Sequence, residues 1–418
     1  MAKDIEYLRE LSERIDDAFA TGQDGEGKRL LEQAIEESRN INEAYHLFFQ
    51  GEARGYLHED HEGQLGLFQK AVNLQPVDYF LLRNLGVSLS KLGRDQEAIA
   101  LYDQALAIKP DDYHSLRQKG VSHSVLGRAQ EAIALYDQAL AIKPDDYHSL
   151  RQKGVSLSKL GREQEAIALY DQALAIKPDD YDSLRNKGAA LSKLGREQEA
   201  IALFDQALAI KPDDYDSLRN KGAALSKLGR EQEAIALYDQ ALAIKPDDYH
   251  SLRNKGVALS KLGRTQEAIA LYDQALAIKP DDYDSLRQKG VALSELGREQ
   301  EAIAFYDQAL TIKPDDHNSL RDKGVSLSKL GRAQEAIALY DQALAIKPDD
   351  YHSLRNKGVS HSVLGRAQEA IALYDQALAI KPDDYHSLRN KGVSLSKLGR
   401  EQEAIALYDQ ALAIKPDD

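Results

Sequence analysis

Residues Tyr147 to Asp180 read YHSLRQKGVSLSKLGREQEAIALYDQALAIKPDD, and this 34-residue unit recurs ten times without insertion between Tyr79 and Asp418. Numbered 1 to 34, its positions divide into two helices and their punctuation. Leu150, Leu157 and Leu160, at positions 4, 11 and 14, share one helical face and define helix A. Gly161 suits the left-handed conformation that closes a helix, and Glu163 and Glu165 stand where the positive end of a second helix favours carboxylates. Helix B therefore begins near Glu163 and carries Ala166, Ile167, Tyr170, Ala173 and Leu174 as its apolar stripe. Pro178 ends it, because proline lacks the amide donor and clashes with the preceding turn, and Asp179 and Asp180 are placed to cap the next helix A. A single helical pair cannot bury such a stripe alone, so the sequence predicts an all-α solenoid in which each pair covers its neighbour.

Working outward, residues 79–418 form ten such repeats. Residues 45–78 read as a degenerate copy, with Phe68, Ala71 and Pro76 at positions 24, 27 and 32. Residues 1–44 read as one more helical hairpin, with Leu8, Leu11, Ile15 and Phe19 on one helix and Leu30, Leu31, Ala34 and Ile35 on the other. Residues 1–78 hold 8 basic and 17 acidic side chains, which makes this segment an acidic amino-terminal cap, whereas the repeats are almost balanced within a net charge of -14. At the far end Ile405, Tyr408 and Leu412 lack a following helix A. Two expectations follow: the array is a sensor or docking arm of a larger enzyme or signalling protein continuing beyond Asp418, or it associates end to end through that last helix.

The composition narrows the function classes. The chain has no cysteine, which removes disulfides and thiolate zinc sites. Its start is too polar for a secretion signal and no apolar run reaches the length of a membrane span, so a cytoplasmic location is expected. The acidic net charge and the lack of stacking aromatics on the variable face disfavour nucleic acid.

Comparison of the repeats with one another separates frame from surface. Positions 18 to 34 are nearly invariant, broken only by Phe204, Phe305 and Thr311, while helix A varies at positions 2, 6, 9, 10, 11, 13 and 17. At 100 degrees per residue, positions 2, 5, 6, 9, 12 and 13 form one arc of helix A. Position 5 on that arc is arginine in every repeat.

Leu150, Gly154, Ala166, Tyr170 and Pro178 match the pattern of tetratricopeptide repeats, and the chain resembles that family over residues 79–418. The resemblance implies a right-handed superhelix of antiparallel helix pairs, with helices A lining a concave groove that receives partners. Two positions depart from the family: position 4 is leucine rather than tryptophan, and position 7 is lysine in nine repeats, with Leu85 keeping the apolar residue. Lys153, Lys187 and Lys221 are expected to lay their stems on the neighbouring helix and reach carboxylates such as Asp171.

The candidate groove residues are Arg151, Lys159, Arg185, Asn186, Lys193, Arg219, Asn220, Lys227, Arg253, Asn254, Lys261 and Arg287. Forked arginine donors match carboxylates and amides match peptide backbone, so the expected role is a non-enzymatic protein-binding scaffold for an extended, acidic polypeptide. Asp182, Asp216 and Asp284 lie three residues before their arginines and could pair with them instead. Position 9 is valine or alanine, which does not match the residues with which family members clamp the carboxylate tails of heat-shock chaperones.

Catalytic and cofactor signals are weak. The stretch Gly22 to Arg29, GQDGEGKR, has phosphate-loop spacing but carries Asp24 and Glu26 and lacks the hydroxyl that holds magnesium, so it reads as a flexible turn. His58 and His61 are three apart, not the four of a zinc-protease helix. His114 and His148, like His352 and His386, occupy position 2 of adjacent repeats and read as solvated groove residues. No catalytic residue, metal site or cofactor is expected.

Overall fold

The computed structural model describes residues 2–416, which are helices joined by short turns. Helices α1 (Ala2–Ala20), α2 (Asp24–Ile41), α3 (Glu43–His58) and α4 (His61–Leu74) precede the array. Helices A and B then alternate from Tyr79–Lys91 and Asp95–Ile108 to Tyr385–Lys397 and Glu401–Ile414. The chain divides into two units, Met1–Pro212 and Asp213–Asp418. Within each unit helix B packs between its own helix A and the next, and consecutive helices A touch, so helices A form the inner layer.

Each boundary has a local cause. Helix A of the third repeat ends at Lys159, Gly161 adopts a φ of 74°, and the Arg162 amide donates to the Leu157 carbonyl at 3.0 Å. That closure uses the left-handed glycine to satisfy a terminal carbonyl. Asp180 caps the next helix by accepting from the Ser183 amide at 3.1 Å and its hydroxyl at 2.5 Å. The core of each repeat stacks the position-24 ring on the position-8 glycine: a Cβ at Gly154 would lie 2.6 Å from the Tyr170 ring. Leu150, Leu157, Ala166, Ile167 and Tyr170 are buried as the periodicity requires. Leu160 is not, remaining 45% exposed, because helix A ends one residue before it and position 14 turns out of the face.

The lysines at position 7 reach carboxylates at position 25 of the preceding repeat. Lys153 meets Asp137 at 2.5 Å, Lys187 meets Asp171 at 2.5 Å and Lys357 meets Asp341 at 2.6 Å. Each ammonium thus spans the junction between helix B and the next helix A.

Ahead of the array, Leu8, Leu11 and Ile15 of α1 and Leu30, Leu31 and Ala34 of α2 are buried together, with Phe19 and Ile35 packed against them. The stretch Gly22 to Arg29 is not a flexible turn: Thr21, Gly22 and Gln23 link the helices, and α2 begins at Asp24. Gly27 lies inside α2, where a Cβ would come within 2.9 Å of the Phe19 ring, so its glycine serves helix packing. At the last helix B, Ile405 and Leu412 are 56% and 46% exposed, and Leu412 borders a recess of about 360 Å³ with Tyr385, Val393 and Tyr408.

Candidate functional site

The arginine at position 5 is an inter-repeat clasp as well as a surface group. Arg151 Nη1 donates to both carboxylate oxygens of Asp180, at 2.9 and 3.1 Å, across helix B. The same carboxylate caps the following helix A, so one side chain closes a helix and ties it to the repeat before. Arg83 with Asp112 (3.3 Å), Arg117 with Asp146 (3.1 Å), Arg219 with Asp248 (3.2 Å), Arg253 with Asp282 (3.1 Å) and Arg355 with Asp384 (3.2 Å) repeat the arrangement. Burial works against the Asp146 charge, but Arg117 and the Ser149 hydroxyl outweigh it and hold the carboxyl below its usual range. Arg151 and Arg219 keep 14% and 20% of their side-chain surface exposed.

What remains of each guanidinium meets carboxylates or imidazoles on the same face. Asp182 lies 2.7 Å from Arg185 and 3.2 Å from Arg151, bridging two rungs. Asp216 pairs with Arg219 at 2.5 Å. Asp284 does not pair with the arginine three residues on; it reaches back to Arg253 at 3.3 Å, while Arg287 and Arg321 converge on Asp322 at 2.8 and 3.1 Å. Where position 2 is histidine, the ring lies against the preceding tyrosine and faces the arginine, as His114 does with Arg117 at 3.3 Å. Burial first, then Arg83 and Arg117, push His114 down to about 3, and a similar setting pushes His148 down to about 4, so both are neutral near pH 7.

The half-buried amides Asn186, Asn220 and Asn254 stand beside these rungs and make no side-chain hydrogen bond among the described residues. The lysines at position 13 do make them. Lys193 meets Glu163 at 2.9 Å, Lys261 meets Glu231 at 2.8 Å and Lys329 meets Glu299 at 2.9 Å, each pair joining position 13 to position 17 of the repeat before. Lys227 is engaged too. Where position 17 is Ala129, Lys159 bonds the Ser124 carbonyl at 2.8 Å instead. Where it is Thr265, the partner position holds Glu295, and the threonine hydroxyl donates to that carboxylate at 3.3 Å. Positions 13 and 17 thus pair across several junctions, although Asp95 is followed at the equivalent position by Val125 and Ala367 by Lys397, and position 13 does not belong to a groove surface alone.

At the amino-terminal end the face is partly covered by α1. Glu13, Asp16 and Asp17 form one wall of a cleft of about 470 Å³ whose other walls include Arg83, Asn84, His114, Arg117 and His148. The Tyr56 hydroxyl donates to Asp16 at 2.7 Å, Phe19 stacks on Tyr56 at 4.3 Å, and Arg9 holds Tyr45 and Asp78 at 2.7 and 3.0 Å. No repeat spacing signals this docking. Nearby Glu52 is buried and accepts from Gln64 at 3.1 Å; burial, aided by the Asp16 charge, raises its carboxyl to about 8.

The remaining sequence candidates are not brought together. His58 ends α3 and His61 opens α4, separated by Glu59 with a φ of 53° and by Asp60, which caps α4. His123 and His361 replace the position-11 leucine of helix A, each with a buried Nδ1 that finds no partner among the described residues. Among the described residues no grouping of three His, Asp or Glu is arranged to hold a metal ion, and no helix is long and apolar enough to cross a membrane.

The fold and its repeated inner face define an α-solenoid built from helical pairs. Family models described as "Tetratricopeptide repeat" match residues 79–112, overlapping segments across 111–281, and 253–317, 321–385 and 364–418, and the chain belongs to the tetratricopeptide repeat family. A search of curated proteins returned no match. Among solved structures, the chain is similar to "Crystal structure of APC/C hetero-tetramer Cut9-Hcn1", with 14% identity, 99% of this chain and 94% of that one covered, and a TM-score of 0.55. It is also similar to "Human IFIT1 dimer with m7Gppp-AAAA", with 17% identity, coverage of 81% and 90%, and a TM-score of 0.50. A third, "Crystal structure of YrrB: a TPR protein with an unusual peptide-binding site", shares 23% identity over 45% of this chain and 97% of that one, with a TM-score of 0.37.

Proposed function

We propose that the chain is a non-enzymatic protein-protein interaction scaffold that takes an extended acidic polypeptide along the face of its helices A. The observation that carries this reading is the seating of carboxylates on the arginine rungs beside amides that make no side-chain hydrogen bond among the described residues. Asp182 and Asp322 each touch two successive arginines, so the rungs are spaced to receive acidic groups one repeat apart. An incoming acidic segment would use the remaining arginine donors within a unit, Arg151 in the first and Arg219, Arg253 and Arg287 in the second. The amides of Asn186, Asn220 and Asn254 would bond its backbone.

Reversing the arginines would break helix caps, so the test changes the amides. Asn186→Asp, Asn220→Asp and Asn254→Asp introduce the residue that position 6 already carries at Asp322. Binding of a fluorescent oligoglutamate peptide to the triple variant should weaken about tenfold, a difference of about 1.4 kcal/mol. Equal affinity for both proteins, with unchanged circular dichroism, would overturn the proposed mode.

A further inference from the structure

The cleft walled by α1 has a near-copy elsewhere in the chain. In repeats 1 to 3 neither position 2 nor position 6 carries a carboxylate: they are Phe80, Asn84, His114, Gln118, His148 and Gln152. Glu13, Asp16 and Asp17, spaced i, i+3, i+4 on one face of α1, bring carboxylates to that stretch from outside the repeats. Repeats 9 and 10 are likewise free of carboxylates at these positions, with His352, Asn356, His386 and Asn390. Tyr351, His352, Arg355, Lys381, Tyr385 and His386 there are the same residue types as Tyr113, His114, Arg117, Lys143, Tyr147 and His148 in the cleft beneath α1.

The local geometry is the same too. His352 lies 4.0 Å from the Tyr351 ring and 3.3 Å from Arg355, as His114 lies 4.0 Å from Tyr113 and 3.3 Å from Arg117. Arg355 meets Asp384 at 3.2 Å and Lys381 reaches the Tyr351 hydroxyl at 3.4 Å, against 3.1 Å for each of the equivalent pairs. One upstream residue differs: Asp322 replaces Asn84, and it is engaged by Arg287 and Arg321.

We propose that the face of repeats 9 and 10 is a docking site for an acidic amphipathic helix of another polypeptide, carrying carboxylates at i, i+3 and i+4 as α1 does. The proposal rests on the acidic-ligand reading above and narrows it to one place and one ligand conformation. In repeats 1 to 3 the chain supplies that helix itself.

The test titrates the full chain with a synthetic peptide of the α1 sequence, AKDIEYLRELSERIDDAFA, by calorimetry. The variant His352→Asp, Asn356→Asp, His386→Asp places at each position a residue the array already uses there, as Asp182, Asp216, Asp284 and Asp322 show, so the fold tolerates it. The expected result is one bound peptide, weakened about tenfold or more in the variant and again when the peptide itself carries the changes Glu13→Gln, Asp16→Asn and Asp17→Asn. If the variant binds as tightly as the parent while Asn186→Asp, Asn220→Asp, Asn254→Asp abolishes binding, this site is wrong and the acidic-ligand reading stands. Failure of every protein to bind either this peptide or oligoglutamate would overturn both. Light scattering of the chain alone adds a third arm: a dimer lost in the variant would assign the face to α1 of a second copy and overturn the heterologous partner.

Discussion

The residues ahead of the array and the repeats themselves bury helix pairs by different means. In the first, Phe48 sits among Phe49, Phe68 and Phe80 at 5.1, 4.9 and 5.3 Å, and one continuous core runs from α1 into the first repeat through Phe80, Leu81 and Leu85. In the second, each core is a tyrosine or phenylalanine ring on a glycine, flanked by alanines and shared with its neighbours alone. A single aromatic cluster makes several helices depend on one another, whereas a repeated small core spreads stability thinly and evenly along the array.

That contrast can be broken at its strongest point. Phe48→Ala should cost about 3–5 kcal/mol and expose α1 to α4 together. Native-state hydrogen exchange should show faster exchange there and unchanged rates in the second unit; loss of protection throughout would mean the array is one cooperative body. A middle-sized effect comes from Glu52. Its folded carboxyl is pushed up to about 8 from an ordinary value of 4.5, so the folded form holds the proton more tightly and stability falls as pH rises between those values. The slope should approach about 1.4 kcal/mol per pH unit, and Glu52→Gln should flatten it in urea unfolding followed by circular dichroism across that window. The smallest effect belongs to the repeat junctions: Lys193→Ala removes a half-exposed partner of Glu163 and should cost less than about 1 kcal/mol, a difference that shrinks in high salt.

The frame of the repeats was legible because each device recurs: the Gly161 closure, the Asp180 cap and the Lys187–Asp171 pair all follow from spacing within one helix or across one junction. The arginine clasp was not. Arg151 and Asp180 are 29 residues apart with all of helix B between them, and helical periodicity says nothing about such a pair. Position 13 was misleading for a related reason: at several junctions its lysine pairs with the glutamate at position 17 of the previous repeat, a contact that neither position read alone reveals. The docking of α1 on the first rungs has no repeat to announce it and depended on Tyr56 and Arg9, each a one-off residue.

The matched pairs at positions 17 and 13 also decide which changes in array length are silent. Removing residues 283–316 would set Thr265 beside Lys329, a neutral meeting. Removing residues 249–282 would set Glu231 beside Glu295, two carboxylates where the intact chain has an ion pair. Repeats this alike invite loss or gain of whole units by slippage, and the junction code gives such an event a register in which some recombinants inherit a mended seam and others a repulsive one.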